Sequence, residues 1–292
     1  MTLISDLLRQ GPTFSFEFFP PQDDAEQSRL QQTIAELQPL DPSFVSVTYR
    51  GGRISRERTT AVVRDMQLTT SLTPMPHLTC VCHSRAELIE IVGDFRAAGL
   101  ENLLALGGDP VPGDEGSARE LAHAVDLVEL ARSIGTESIG VAAHPNGHPS
   151  AVSREADRDR LAEKLRLADF AITQFFFHAD EYLRLVDDLG ARGVHQPVIA
   201  GVMPITNLRS ISRMASLSGL SVPSDVTDRL EPLEDRPEEF RRVGIEIATN
   251  LCLELLEAGV PGLHFYTLNF SKATREIFDA LAPIRTRPGH IA

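Results

Sequence analysis

The chain has 292 residues, of which 42% are hydrophobic and 24% charged, a composition typical of a globular protein with a large buried core. Its formal charge is -13 and no lysine- or arginine-rich run stands out, so we expect neither a nucleic-acid nor a membrane partner. The first residues lack the basic and apolar regions of a signal peptide, no apolar stretch is long enough to cross a bilayer, and 3 cysteines make no disulfide framework, which together predict a cytoplasmic protein.

The first predicted element is an apolar strand that carries a single charge. Its sequence is Phe14-Ser15-Phe16-Glu17-Phe18-Phe19, and Pro20-Pro21 ends it. An isolated carboxylate in apolar surroundings loses hydration, which disfavours its charged form. Glu17 is therefore a candidate general acid that keeps its proton near neutral pH. The alternative is a strand residue whose side chain reaches solvent or a partner arginine.

Strand-like apolar runs alternate with amphipathic helical stretches along the whole chain. The predicted strands are Thr13–Phe19, Phe44–Tyr49, His77–Val81, Asn102–Leu106, Ser138–Ala143, Phe170–Phe177, Val198–Met203 and Gly262–Leu268. The clearest helical spacing falls at Gln27–Leu37, Ala86–Ala97, Ala118–Ser133 and Tyr182–Ala191, with a last helix at about Lys272–Leu281. This order predicts an α/β protein, a (β/α)8 TIM barrel with residues 1–292 as a single domain.

Two details refine this prediction. The rival fold is a doubly wound open sheet, but the Gly-rich turn that usually follows its first strand is replaced here by Phe-Phe-Pro-Pro. The polar, proline-punctuated segment around 220–240 predicts an insertion, a loop with a short extra helix, before a long helix around Arg241–Ala258.

Polar and titratable residues gather at the predicted C-terminal ends of the strands, where barrel enzymes place their chemistry. In chain order they are Glu17, Thr48, His77, Gly107-Gly108-Asp109, His144, His148, Gln174 and Tyr266. Such a concentration on one rim predicts a ligand site rather than a purely structural barrel.

Each of these features has a structural alternative. Gly107-Gly108-Asp109 is either an ordinary turn or a close backbone approach to a ligand, with Asp109 accepting hydrogen bonds from an NH-rich ring. The amide of Gln174 must pair with a neighbouring backbone or with a ligand, and we favour the ligand. The prolines around His144 and His148 exclude a helix and hence a metal pair, and no metal site is predicted elsewhere.

Six motifs taken in order resemble the 5,10-methylenetetrahydrofolate reductase family. They are Ser15 to Pro21, Phe44 to Tyr49, Pro76 to Cys80, Leu104 to Asp109, Ala171 to Phe177 and His264 to Asn269. The resemblance implies reduction of 5,10-methylenetetrahydrofolate to 5-methyltetrahydrofolate. It also implies that Glu17 protonates the folate, that Asp109 contacts the pterin, and that Gln174 contacts folate and nicotinamide in turn.

The positions that bind flavin in the family are where this chain departs from it. Gly107 stands where the family has arginine, His144 and His123 stand where it has tyrosines, and Glu163 reverses a positive charge near the pyrophosphate. On the folate side, Met214 replaces a stacking phenylalanine and Phe270 replaces an arginine that contacts the glutamate tail. These departures make bound FAD doubtful.

We therefore expect a flavin-free reductase in which NADH, or NADPH, passes hydride directly to the folate. The candidate cofactor-binding residues are Thr48, His77, Leu106, Gly107, Gly108, His144, His148 and Lys164, and the candidate substrate-binding residues are Asp109, Gln174, Met214 and Tyr266. Two alternatives stay open: an FAD-dependent reductase with a ping-pong hydride relay, and a non-catalytic folate-binding partner protein. The sequence makes no prediction of oligomeric state.

Overall fold

The computed structural model describes residues 2–49, 53–109 and 119–282, with only the backbone described at 53–55. Eight parallel strands pair in chain order and close into a barrel. The strands are β1 Thr13–Phe18, β2 Phe44–Val47, β3 Pro74–Thr79, β4 Asn102–Leu106, β5 Ser138–Ala143, β6 Phe170–Thr173, β7 Val198–Val202 and β8 Gly262–Tyr266. The predicted (β/α)8 barrel is confirmed.

Helices fill every interval between the strands. The helices of the described residues are α1 Ile4–Gln10, α2 Asp24–Leu37, α3 Arg53–Thr69, α4 Arg85–Ala97, α5 Ala124–Ile134, α6 Arg154–Leu167, α7 Ala179–Gly190, α8 Leu208–Leu217, α9 Ser224–Leu230, α10 Pro237–Glu257 and α11 Ser271–Ala280. Local signals set their ends: Ser84 and Glu87, for example, form a reciprocal capping box at the start of α4. The segment predicted as an insertion contains α9 and a following 3-10 turn, Glu231–Leu233.

Strand alternation separates the barrel interior from the layer between strands and helices. On β1 the rings of Phe14, Phe16 and Phe18 belong to the large apolar core beneath the helices. Residues of the opposite parity, such as Ser15 and Glu17, face the interior. The same alternation on the neighbouring strands turns Ser46 of β2, His77 of β3 and His264 of β8 toward the same interior.

The amino-terminal end of the barrel is closed by α1, a helix that the sequence analysis did not predict. The backbone N–H of Ile4 donates to Asn102 Oδ1 at 2.9 Å, and that of Ser5 donates to Ser138 Oγ at 3.2 Å. Above them an apolar layer fills the interior, made by Ile4, Phe44, Met75, Leu104, Phe170, Ile172 and Ile199. This plug leaves only the opposite end of the barrel open for chemistry.

Two interior glycines are required by close packing. A Cβ at Gly140 would lie 2.5 Å from the ring of Phe170, and one at Gly201 would lie 2.3 Å from the carbonyl oxygen of Thr173 and 2.8 Å from the ring of Tyr266. Since real Cβ atoms do not approach so closely, these glycines let large side chains cross the barrel.

Several predicted bounds differ from the structure. β3 begins at Pro74 rather than His77, since prolines are depleted in strands and led the prediction astray. β6 ends at Thr173, before the run Phe175 to Phe177, because an apolar run by itself does not show where a strand stops. The helix predicted at Ala118–Ser133 begins at Ala124; Ala118 itself lies outside the described residues.

A second apolar cluster covers one side of the open end. Its buried members are Phe175, Phe177, Met203, Ile205, Ile211, Ala215, Val226, Leu230 and Phe240. These residues come from the ends of β6 and β7 and from α8, α9 and α10, so the insertion packs against the barrel mouth. Across the described part of the chain, none of the helices combines the length and the apolarity that a membrane crossing requires.

Candidate active site

Glu17 lies at the carboxyl end of β1 and points into the barrel, with 6% of its surface exposed. The burial of Glu17 was predicted, but the prediction that apolar side chains surround its carboxyl group is wrong. The phenylalanines of β1 lie on the opposite face of the strand, where they pack under the helices. Polar side chains of the neighbouring strands enclose the carboxyl group instead.

Three side chains surround the Glu17 carboxyl oxygen Oε2. Ser46 Oγ on β2 lies 3.5 Å from it, His264 Nε2 on β8 lies 3.4 Å from it, and His77 Nε2 on β3 lies 3.5 Å from it. The parallel register explains this meeting, because Glu17 is level with Ser46 on one side and with Tyr266 on the other. The carboxyl group thus lies among polar side chains at 3.4 to 3.5 Å within the closed sheet.

Burial controls the protonation of the groups around Glu17. It lowers the pKa of His77 to about 4, against the opposing attraction of the Glu17 carboxylate and with a small further lowering from His264. His77 is therefore a neutral imidazole at neutral pH. Burial, reinforced by Glu17, also raises the pKa of Tyr266 well above its usual range, so that its hydroxyl keeps the proton it donates to the Thr173 carbonyl at 2.6 Å.

Three buried polar atoms above β2 and β3 have no hydrogen-bond partner among the residues that the structure describes. They are Thr48 Oγ1, His77 Nε2 and Thr79 Oγ1. His77 Nε2 lies 3.5 Å from Glu17 but without the geometry of a hydrogen bond. Because a buried polar atom without a partner costs free energy, these atoms mark a place where a ligand can supply the missing bonds.

The segment Gly107-Gly108-Asp109 forms the rim after β4. Gly108 has φ 78°, and a Cβ there would lie 2.4 Å from Val81 Cγ1, so packing against the end of β3 requires this glycine. Asp109 is exposed at the rim, and Leu106 is half-buried below it. The turn interpretation accounts for Gly108, while Asp109 is accessible to a ligand.

The loop after β5 carries His144 and His148, whose ring centroids lie 4.7 Å apart. The guanidinium of the fully buried Arg158 donates to the carbonyls of His144, at 2.9 Å, and Pro145, at 2.5 Å. Burial, aided by the neighbouring His148, Lys164 and Arg158 charges, lowers the pKa of His144 to about 3. The loop therefore presents a neutral imidazole on a fixed backbone.

Lys164 on α6 also faces inward. Its ammonium donates to the Ala142 carbonyl at 3.0 Å, and burial lowers the pKa of Lys164 against the attraction of Asp157. The preceding residue, Glu163, is exposed on the same helix. This side of the site thus offers one cation, already engaged by a carbonyl and attracted by the Asp157 carboxylate.

The proposed folate-side residues come from the end of β6, from α8 and from β8. Gln174 is half-buried just beyond the end of β6, and its Oε1 accepts the backbone N–H of Phe175 at 3.0 Å. The amide oxygen of Gln174 is therefore bonded to a neighbouring backbone group, which is one of the two partners that the sequence analysis considered; the other was a ligand. Met214 on α8 and Tyr266 on β8 are half-buried against the second apolar cluster.

Of the predicted site residues, the structure brings His77 to Glu17, places Tyr266 level with Glu17 on the adjacent strand β8, and leaves Thr48 buried after β2 and Gln174 half-buried after β6. Sequence reasoning missed His264, Ser15 and Ser46. Counting back by two from Tyr266 places His264 on the interior face, so strand period alone could have found it. The structure has no group of three or more histidine, cysteine, aspartate or glutamate side chains arranged to hold a metal among its described residues.

The fold and the site define a (β/α)8-barrel protein with a buried carboxyl group at the centre of its open, C-terminal face. A sequence model of the methylenetetrahydrofolate reductase family matches residues 3–282. The chain belongs to that family, which confirms the resemblance found in its motifs.

Individual relatives agree with this assignment. The chain is 37% identical over 268 residues to 5,10-methylenetetrahydrofolate reductase of Pectobacterium carotovorum subsp. carotovorum, covering 91% of this chain and 89% of that protein. It is 36% identical over 276 residues to the Escherichia coli (strain K12) protein of the same name, covering 94% and 91%. It is 32% identical to methylenetetrahydrofolate reductase (NADH) 1 of Arabidopsis thaliana, covering 92% of this chain and 48% of the plant protein.

Among solved structures, the barrel is similar to an uncharacterized protein from Clostridium thermocellum that binds two copies of 5-methyl-5,6,7,8-tetrahydrofolic acid. The TM-score is 0.66 at 14% identity, covering 97% of this chain and 99% of the other. At that identity the likeness concerns the fold alone.

Proposed function

We propose that the protein reduces 5,10-methylenetetrahydrofolate to 5-methyltetrahydrofolate, taking hydride directly from NADH after Glu17 protonates the folate. Membership of the family and the names of the relatives support the substrate and the reaction. The observation that carries the mechanism is the burial of Glu17 at the carboxyl end of β1, among the ends of the other strands. We further propose that the chain works as one catalytic domain in the cytoplasm.

The protonation step follows from the chemistry of the substrate. The five-membered ring of the folate opens to an iminium only after a ring nitrogen receives a proton, and the iminium carbon is then a good hydride acceptor. Glu17 gives its carboxyl proton to that nitrogen and becomes a carboxylate. Ser46 on β2, whose Oγ lies 3.5 Å from Glu17 Oε2, can turn its hydroxyl toward the new charge.

The folate would lie between the rim and the apolar cluster. Asp109 would accept hydrogen bonds from the pterin edge and stabilise the positive charge of the iminium. Gln174 and Tyr266 face the same space from β6 and β8, and Met214 offers a polarisable surface for the aromatic part of the substrate.

A reduced nicotinamide supplies the hydride in this scheme. Thr48 Oγ1 and His77 Nε2 are buried polar atoms that lack partners among the described residues, and they can bind its carboxamide. The neutral His144 ring lies after β5, two strands along the barrel from β3. Leu106, Gly107, Gly108, His148 and Lys164 are the further proposed contacts, and NADH is favoured over NADPH.

The residues present fit a flavin poorly. Gly107 offers no guanidinium at the rim, the ammonium of Lys164 already donates to the Ala142 carbonyl, and α6 also carries the exposed carboxylate of Glu163. A pyrophosphate dianion would meet repulsion there. We therefore derive no step through a flavin.

Flavin content and NADH oxidation, measured on the purified protein, test the proposal. We expect a colourless preparation that oxidises NADH only when methylenetetrahydrofolate is present, with no flavin added. Release of stoichiometric FAD on denaturation, together with flavin-dependent turnover, would establish the flavin relay instead. Folate binding without any turnover, with or without FAD, would establish a non-catalytic binding protein.

A further inference from the structure

A second imidazole lies directly beneath the carboxyl group of Glu17. His264 is fully buried on β8, and its ring stacks on Phe44 with centroids 6.0 Å apart. Its Nδ1 lies 2.8 Å from Ser15 Oγ, and its Nε2 lies 3.4 Å from both Glu17 Oε2 and Ser46 Oγ. The ring therefore joins a buried hydroxyl on one side to the proposed acid on the other.

The hydroxyl of Ser15 is placed to select which nitrogen of His264 carries the proton. The Ser15 hydroxyl has two acceptors in reach: His264 Nδ1 at 2.8 Å and the Leu263 carbonyl at 3.4 Å. Only the first has the length of a normal hydrogen bond to a hydroxyl. When Ser15 donates to Nδ1, the neutral ring must carry its hydrogen on Nε2, which faces Glu17.

When Glu17 gives up its proton, no cationic group that faces it from the described residues neutralises the negative charge of the carboxylate. His77 on β3 is neutral, Tyr266 on β8 directs its hydroxyl to the Thr173 carbonyl, and Ser46 on β2 offers one hydroxyl. Among the described residues, the ion pairs of Glu17 involve histidines alone and no lysine or arginine. A second hydrogen-bond donor is therefore needed for the carboxylate in this enclosed space.

We propose that His264, held in its Nε2–H tautomer by Ser15, is a positioning residue that donates a hydrogen bond to the carboxylate that Glu17 becomes. This inference rests on the proposed function, since it concerns the acid of that reaction. The imidazole itself neither gains nor loses a proton: the proton that leaves Glu17 goes to the folate nitrogen. Hydrogen bonds to a charged group are among the stronger ones, so the donor favours proton transfer.

Two substitutions of His264 distinguish the effect of its hydrogen-bond donor from the effect of the volume of its ring. In His264→Asn the amide reaches the position of Nδ1 but leaves Glu17 without a donor. In His264→Gln the amide N–H reaches toward the position of Nε2. We expect kcat in His264→Asn to fall by about tenfold, with KM for the folate changed by less than about twofold. Activity in His264→Gln should be partly retained.

The pH profile gives a readout that a packing role would not move. A general acid works only while protonated, so kcat falls as pH rises through its ionisation. Loss of a donor to the carboxylate postpones that ionisation. The alkaline limb of the kcat profile should therefore move upward by about one pH unit in His264→Asn. Ser15→Ala removes the group that fixes the tautomer of His264. It should shift the alkaline limb of the kcat profile in the same direction, by less than His264→Asn does.

A matched control lies on the same strand. Thr13 is buried two residues before Ser15, and its Oγ1 has no partner among the described residues. Thr13→Val should leave the pH profile as it is. In the resting full chain, 15N NMR of histidine-labelled protein should show His264 as the Nε2–H tautomer and should show a mixture in Ser15→Ala.

The outcomes separate this inference from the proposed function. A folded His264→Asn with reduced kcat and an unmoved alkaline limb would reduce His264 to a packing residue, as would an Nδ1–H tautomer in the NMR spectrum. If the parent protein shows no NADH-dependent turnover of methylenetetrahydrofolate, the proposed function fails. The tautomer measurement still reports on the Ser15–His264 pair in that case.

Discussion

The two sides of the barrel mouth are built from opposite chemistry. The polar side, on β8, β1, β2 and β3, consists of Ser15, Glu17, Ser46, His77 and His264, all buried and in mutual contact. The apolar side is the second cluster, contributed by the ends of β6 and β7 and by the helices α8 to α10. The two sides meet at Tyr266, whose ring packs with the cluster while its strand carries His264.

The two sides of the mouth contribute differently to stability and to chemistry. Buried polar groups cost free energy unless each is hydrogen-bonded, and His77 Nε2 of the polar side, like Thr48 Oγ1 just after β2, has no hydrogen-bond partner among the described residues. Apolar burial stabilises the fold without any ligand. The polar side is therefore arranged for chemistry at a cost in stability, and the apolar side supplies stability and a surface for an aromatic substrate.

Substitution of the acid should have the largest effect. Glu17→Gln keeps the size and the polar contacts of the side chain but removes its transferable proton. We expect kcat to fall by about a thousandfold, within the range for a lost general acid, with folate affinity nearly unchanged. Steady-state kinetics and equilibrium folate binding measure the two quantities.

The exposed Glu137, just before β5, gives the matched control: Glu137→Gln should turn over like the parent. A loss of only a few-fold in kcat in Glu17→Gln would show that the carboxyl group is not the general acid. The polar side would then have no assigned part in the reaction.

Truncation on the apolar side should act on stability rather than on chemistry. Leu230 on α9 is fully buried in the second cluster, so Leu230→Ala leaves a cavity and should lower the free energy of unfolding by about 3 kcal/mol. Urea denaturation measures this loss. The alkaline limb of kcat should stay in place, because no member of the polar side touches Leu230.

Leu217 on α8 is 72% exposed, so Leu217→Ala should leave the unfolding free energy within about 0.5 kcal/mol of the parent. A pH profile displaced by Leu230→Ala would show that the two sides are coupled through Tyr266 rather than independent.

The polar side was partly predictable from the sequence. Glu17 stood out as one charge in an aromatic strand, and the strand order placed it on the same rim as Thr48 and His77. Its true neighbours escaped prediction because they depend on register: His264 meets Glu17 only when β8 pairs with β1. Sequence patterns give the face of a strand but not the partner across the sheet.

The apolar side was less predictable. The run Phe175 to Phe177 was taken as the end of a strand, whereas the rings of Phe175 and Phe177 pack with residues of the insertion in the second cluster and Phe176 packs in the main core. Helix α1 was missed because a seven-residue helix carries too little periodicity to recognise. Both cases depend on contacts between segments far apart in the chain, which local composition does not encode.

The smallest predicted effect is a pH dependence of stability that originates on the polar side. The folded pKa of His77, about 4, lies below its usual value of 6.5, so between these values the unfolded chain binds more protons than the folded protein. Stability therefore falls as the pH drops through this window. For His77 the loss between pH 7 and pH 5 should be about 2 kcal/mol.

Urea denaturation of His77→Gln at both pH values tests this, because the variant has no imidazole to protonate at that position. Its loss of stability on acidification should be smaller than that of the parent by about 2 kcal/mol. His195→Gln provides the control, since that exposed ring meets solvent in both states. If His77→Gln retained the full dependence of the parent, His77 would be charged in the folded protein. The polar side would then hold an ion pair with Glu17, which leaves the carboxyl group no proton to give.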